Sequence, residues 1–327
     1  MMSVLVTGGA GYIGSHMTLQ LVDQGDSVVV LDNLVTGVRA QVAEKATFIE
    51  GDISDKDLVR GILKTHKVEA VIHFAGSVVV PESVEDPLKY YSNNTAKSRD
   101  LIESCVAGGV KQFIFSSTAA VYGVTDEASI AEDGAKDPAS PYGRSKLMTE
   151  WMLEDTAHAH DFRYVALRYF NVAGADPKGR SGQSTPRATH LIKRACQVAL
   201  GRAPYLGIFG TDFPTPDGTG VRDYIHVSDL IGAHALALAH LRGGGASSLF
   251  NCGYGRGFSV REVAKAVEKA AGAPLAVKEM PRRAGDPPAI VSNPAKLKAA
   301  LGWKPQHDSL DEIVASALAW ERRLNSV

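Results

Sequence analysis

Cysteine is scarce in this chain: Cys105, Cys196 and Cys252 are the only three among 327 residues, odd in number, widely spaced and without a Cys-x-x-Cys pair. That pattern argues against a disulfide framework or a zinc site, and reads as reduced thiols of a cytoplasmic protein. Net charge is scarce too. Lys and Arg total 35 against 36 acidic residues, a formal charge of -1, so no bulk field draws the chain to nucleic acid or to an anionic membrane. No run of 18 apolar residues exists to span a bilayer. Ser3 to Gly8 is too short for the apolar core of a leader and has no basic stretch before it, so no secretory signal is expected. Internal repeats and low-complexity tails are absent as well. What remains is 45% hydrophobic and 22% charged, the balance of a soluble globular protein with room for one large domain or two fused ones.

Short apolar, β-branched runs recur through the first half: Val4–Val6, Val28–Leu31, Thr47–Ile49, Ala70–Phe74, Phe113–Phe115 and Tyr164–Leu167. Each is too short for a helix and nearly continuous in apolar character, as strands buried on both faces of a parallel sheet are. Segments such as His16–Gly25 and Asn93–Ala107 are long enough to cross over between them. Consecutive βαβ units predict an α/β fold with a Rossmann-type doubly wound parallel sheet. After Phe170 the texture turns to Gly, Pro and polar residues, and helical spacing returns at Ala188–Leu200, Ser228–Leu241, Ser259–Ala271 and Ser309–Leu324. Ser228 and either Asp308 or Ser309 are the expected caps of two of these helices. The predicted division is 1–170 for a dinucleotide-binding domain and 171–327 for a smaller C-terminal α/β substrate lobe, some of whose segments return to the first domain.

The first strand runs into Thr7-Gly8-Gly9-Ala10-Gly11-Tyr12-Ile13-Gly14. Gly8 permits a tight turn, Gly11 lets backbone approach a pyrophosphate and Gly14 lets the following helix pack closely; the anion meets N–H groups at the helix start. Asp32 ends the second strand, 18 residues beyond Gly14. A carboxylate there can hold ribose hydroxyls and would repel a 2′-phosphate, which favours NAD over NADP. Asp52, after the third strand, can lie near an adenine amino group or be ordinary turn chemistry.

Tyr142 and Lys146 stand four apart at the expected start of a helix running toward His158, so their side chains share a face. A lysine charge beside a phenol favours phenolate, the direction a base acting on a sugar hydroxyl needs. Ser116-Ser117-Thr118 ends the fifth strand, and strand carboxyl ends are where open sheets bind ligands. Thr118 is the hydroxyl expected to share the moving proton; Ser116 and Ser117 lie nearer the core. The alternative is that all three cap the next turn.

The glycine run, the hydroxyl cluster ending in Thr118 and the Tyr142/Lys146 pair together resemble the extended short-chain dehydrogenase/reductase family of NAD enzymes, which act mainly on nucleotide sugars. His73-Phe74-Ala75-Gly76, Tyr91 to Asn94, Ser140 to Met148, Leu167 to Asn171 and, most specifically, Asp217 to Val227 are similar to its UDP-hexose 4-epimerase branch. The resemblance implies NAD as cofactor, a UDP-hexose substrate, reversible inversion at C4 through a 4-keto sugar, and a homodimer. It implies Tyr142 as base, Lys146 as its electrostatic partner and cofactor clamp, and Thr118 where the family commonly has serine. Cofactor contacts carried over are Gly8, Gly11, Tyr12, Ile13, Gly14, Asp32, Asn33, Asp52, Ile53, Phe74, Ala75, Asn93 and Phe170, besides Tyr142 and Lys146. A lysine that the family uses after the His-Phe-Ala-Gly run is replaced by Val78.

On the substrate side the resemblance implies Thr118, Tyr142, Asn171, His190 and Leu191, with Arg222 and Arg283 for phosphate, Asp286 for the uridine ribose, and Ile290 bordering the sugar pocket. Arginine suits phosphate because its planar donors engage two oxygens at once. Ala119-Ala120 stands where a 4,6-dehydratase would need an Asp-Glu pair. Open alternatives are a 4-epimerase of UDP-N-acetylhexosamine, UDP-pentose or UDP-glucuronate, and a catalytically idle NAD-binding regulatory protein. No metal is expected.

Overall fold

The short apolar runs become strands because their side chains have two faces to fill and no polar edge to present. The computed structural model describes residues 2–125, 129–185, 188–283 and 286–324; Ala284 and Gly285 of the Arg282 to Asp286 run lie outside them. In chain order the strands are β1 (Ser3–Thr7), β2 (Ser27–Asp32), β3 (Thr47–Glu50), β4 (Val68–His73), β5 (Gln112–Thr118), β6 (Arg163–Tyr169), β7 (Asn171–Ala173), β8 (Leu206–Phe209), β9 (Val221–His226), β10 (Ser248–Cys252), β11 (Gly257–Ser259), β12 (Val277–Met280) and β13 (Ala289–Ile290).

Seven of them form one sheet in the order β10-β6-β5-β4-β1-β2-β3. β1 pairs in parallel with β2 and with β4, β2 with β3, and β4 with β5. The order reverses between β1 and β4, the switch point at which doubly wound sheets open a crevice beyond their strand ends. All five residues of β1 are buried. This is the expected Rossmann-type α/β architecture.

The chain divides into two compact units, one of residues 1–123, 135–168 and 231–250, the other of 124–134, 169–230 and 251–327. The first has a core of Leu5, Val29, Leu31, Val71, Phe113, Phe115 and their neighbours. In the second, β9 pairs antiparallel with β11 and parallel with β7 and β13, while β8 and β12 form a separate parallel pair. Helices Leu191–Ala199, Val260–Ala271 and Leu310–Arg323 fill its core with Ile192, Cys196, Val263, Val267, Ile313 and Val314. Cys105, Cys196 and Cys252 are free and buried. No helix of the described residues is long and apolar enough to cross a membrane.

Of the two cap expectations, Ser309 holds in position and Ser228 is corrected. Ser228 does not cap its helix, which starts one residue earlier at Val227; the His226 ring accepts the Ser228 N–H at 3.1 Å instead. Ser309 occupies the cap position of Leu310–Arg323 without a capping bond from its side chain. Ser259, by contrast, closes a full capping box with Glu262, satisfying two otherwise orphaned donors reciprocally.

Candidate active site

The turn after β1 is built from glycine for steric reasons. At Gly8 φ is +71°, and a Cβ there would lie 2.6 Å from the Ala75 nitrogen; a Cβ on Gly14 would lie 2.2 Å from the Gly8 carbonyl oxygen. Helix Tyr12–Asp23 is capped by Gly11, which offers no side-chain acceptor, so the positive end of the helix dipole faces the turn without a built-in anion. Tyr12 is buried and Ile13 half-buried. Asp32 is buried at the end of β2, its two oxygens accepting N–H groups of Ala10 at 2.9 Å and Leu34 at 2.8 Å. A carboxylate has about four lone-pair sites, leaving capacity for ribose hydroxyls while the loop is held.

Asp52 accepts from Asn33 at 3.1 Å, from the Ser54 hydroxyl at 2.7 Å and from Lys97 at 2.6 Å. Burial works against the Asp52 charge, but these donors outweigh it and hold the carboxyl down at about 2. Ile53 is buried beside it in sequence. Phe74 packs its ring 4.9 Å from that of His234. Asn93 donates to the Ser77 hydroxyl at 3.0 Å, and Asn94 accepts the Ser77 N–H at 2.8 Å, so the strand-end loop containing Ala75 is clamped from the π-helical turn Tyr91–Ala96. Val78, in the place of the family lysine, is 49% exposed and supplies no polar contact. A dinucleotide fits this unit: its glycines leave backbone accessible where any Cβ would collide, and its helix start and Asp32 offer the donors and acceptors such a ligand needs.

Helix Pro141–Ala159 opens on Ser140, whose hydroxyl accepts the Gly143 N–H at 3.2 Å, with proline at the first helical position. One turn apart on it, Tyr142 and Lys146 are both buried, as is Thr118 at the end of β5. The Thr118 hydroxyl is hydrogen-bonded to the Tyr142 phenol and accepts the Ala120 N–H at 3.2 Å. The Lys146 ammonium donates to the Ser116 carbonyl at 3.0 Å and lies 4.8 Å from the centre of the Phe115 ring.

Burial pushes the Tyr142 phenol up, and the Thr118 hydroxyl pulls it back. Burial also pulls Lys146 down to about 8, with the Glu150 charge opposing. Ser117 points away from Thr118, donating to Glu150 at 2.5 Å. Asn94, Lys97, Glu150 and Arg168 were not anticipated; each acts through a partner too remote in sequence for spacing to reveal.

In the second unit, β7 places Asn171 opposite Tyr224 of β9, and the Asn171 amide lies 3.4 Å from the Asp223 carbonyl. Arg222 stands opposite Ile290 in the parallel β9/β13 register. Arg222 pairs with Asp286 at 2.9 Å, while the Arg283 guanidinium lies 3.7 Å from the Phe209 ring centre. Arg282 diverges toward Asp212 and Phe213. Phe170 is buried. His190 is exposed just before helix Leu191–Ala199, and Leu191 is half-buried against the core. Ile290 is half-buried, so a wholly internal strand position does not describe it. His226 is engaged by Ser228 and Ser316, a satisfied structural role. Among the described residues no cluster of three or more His, Cys, Asp or Glu is arranged to hold a metal.

A glycine-turned dinucleotide cradle on a doubly wound sheet, with a buried Tyr/Lys pair over a strand-end hydroxyl, defines a nicotinamide-dependent class of sugar-modifying protein. The chain belongs to the NAD dependent epimerase/dehydratase family, whose model matches residues 4–253. A UDP-glucose 4-epimerase of Azospirillum brasilense is 57% identical over 98% of this chain and 92% of its own length. The crystal structure of UDP-glucose 4-epimerase from Brucella ovis in complex with NAD is 45% identical, covers 98% of each chain and has a TM-score of 0.95. The UDP-Glc/GlcNAc 4-epimerase structure from Campylobacter jejuni is 44% identical, covering 99% of this chain and 100% of that one, at a TM-score of 0.87.

Proposed function

We propose that this chain interconverts UDP-glucose and UDP-galactose by NAD-dependent epimerisation at C4. The observation that carries the reading is the buried Tyr142 phenol held by the Thr118 hydroxyl, with the buried Lys146 ammonium one turn away on the same helix. The names of the similar proteins support the substrate class.

In this reading Tyr142, ionised to the phenolate, takes the proton from the sugar 4-hydroxyl, directly or through Thr118, whose hydroxyl is hydrogen-bonded to the phenol oxygen. NAD, when bound, supplies the acceptor for the C4 hydride and its return. Tyr12, Ile13, Asp32, Asn33, Asp52, Ile53, Phe74, Ala75, Asn93 and Phe170 hold it, and Lys146 clamps its ribose. The 4-keto sugar turns about its bond to the diphosphate, and Tyr142 returns the proton once the other face is presented. Asn171, His190 and Leu191 line the nucleotide, Arg222 and Arg283 bind phosphate, and Asp286 binds the uridine ribose. Residues 1–170 thus serve chiefly NAD and 171–327 chiefly the nucleotide sugar. The protein works in the cytoplasm, consistent with three free buried cysteines, and as a homodimer, by family resemblance.

The test is to denature purified protein, identify the released dinucleotide by mass, and assay UDP-galactose conversion. NAD and conversion are expected; NADP, or no dinucleotide together with no activity on added NAD, would overturn the reading.

A further inference from the structure

Beneath the proposed reacting face lies a buried ion pair that the chemistry above does not use. Glu150 sits four residues beyond Lys146 and eight beyond Tyr142, so the three share one stripe of helix Pro141–Ala159. Its carboxylate takes both forks of Arg168, Nε at 2.9 Å and Nη2 at 2.6 Å, and the Ser117 hydroxyl at 2.5 Å. Arg168 also donates to the Tyr122 hydroxyl at 2.8 Å. The side chains of Arg168 and Glu150 are 1% and 4% exposed.

A pair this deep is poorly explained by stability alone, because well-packed apolar residues of similar volume usually do as well or better. Its connections suggest another purpose. Ser117 is flanked by Ser116, whose carbonyl anchors Lys146, and by Thr118, which bonds Tyr142. Tyr122 closes the turn that follows Thr118. Glu150 and Arg168 therefore grip the β5 end both at its middle serine and through the turn behind it.

Resting on the proposed catalytic reading of Tyr142, we propose that Glu150 and Arg168 are positioning residues: they set the register of the Tyr142/Lys146 helix against β5, and so act on turnover rather than on ligand binding.

The experiment uses the NAD-loaded enzyme. Glu150→Leu with Arg168→Met removes both charges and orphans neither. It is expected to keep its NAD content and melting temperature near parental and its KM for UDP-galactose within about threefold, while kcat falls about 10²-fold, the scale of an ångström-level misplacement. A folded double variant with kcat within about threefold of parental would overturn the proposal, since a structural pair would show that result. Ser117→Ala leaves the ion pair intact and covers the case in which the double variant does not fold: a loss of kcat of about fivefold, the scale of one hydrogen bond, at unchanged melting temperature and KM supports the proposal, and an unchanged kcat overturns it. Tyr142→Phe run in parallel separates the two readings. If that variant turns over at the parental rate, the catalytic reading falls; if it is impaired while the Glu150/Arg168 and Ser117 variants are not, only the positioning role falls.

Discussion

Lys146 donates to the Ser116 carbonyl at 3.0 Å, two residues before the threonine that holds the Tyr142 phenol. Both groups of the proposed reacting pair are thereby tied to the same three residues at the end of β5, and any change in that strand end reaches both.

The first consequence is kinetic. Tyr142→Phe should retain NAD and lower kcat by about 10²-fold or more, the usual contribution of a positioned general base. Lys146→Ala should lose turnover and NAD retention together. Thr118→Ser keeps the donor to the phenol and should be at least as active as the parent. Steady-state rates with UDP-galactose and the NAD content of each purified variant check all three.

Gly14→Ala would place a methyl group 2.2 Å from the Gly8 carbonyl oxygen. Backbone on both sides cannot yield that distance without opening the turn. The variant should lose bound NAD and melt well below the parent, as mass analysis and thermal unfolding would show; parental NAD content would contradict the cradle.

Asp52 gives a pH signature. Its folded carboxyl lies at about 2 against an ordinary 3.8, so the stability it contributes is complete above about 3.8 and is lost as pH falls toward 2. Lys97→Met removes its strongest opposing donor, bringing the folded value back up and shrinking that contribution. Unfolding midpoints of the two proteins should differ near neutral pH and converge below about pH 2; a constant difference across the range would assign Lys97 another role.

The proposed border of the sugar pocket at Ile290 predicts substrate breadth. Ile290 is half-buried opposite Arg222, shorter than tyrosine yet branched at its β-carbon. UDP-glucose and UDP-galactose should be the main substrates, with UDP-N-acetylglucosamine turned over weakly. Ile290→Gly should raise the acetylated kcat/KM selectively and Ile290→Tyr abolish it. Equal efficiency for acetylated and plain sugars in the parent would refute exclusion at this position.

The elements that sequence made legible are those governed by local rules. Val4–Val6 and Phe113–Phe115 had to be buried strands because nothing in them could face water, and Gly8 and Gly14 announced a turn that tolerates no Cβ. Ser228 misled because a histidine ring captured the donor that a serine cap usually serves. The tuning of Tyr142 was illegible for a different reason: spacing places Lys146 on the same face but says nothing of how deeply both are buried, and desolvation decides the outcome. Arg168 follows an apolar strand run without interruption, which was the one available sign that a charge had been buried deliberately; Glu150, on a mixed helix, carried none.

The three cysteines have a practical consequence. Burial raises every one of their thiols, Cys196 to about 12, and reactivity belongs to the exposed thiolate. The native chain should therefore react only slowly with alkylating and maleimide reagents. A cysteine introduced at Val35, 80% exposed on the loop after Asp32, should be labelled alone, giving a fluorescent reporter beside the proposed ribose-binding end of β2 without first replacing the native cysteines.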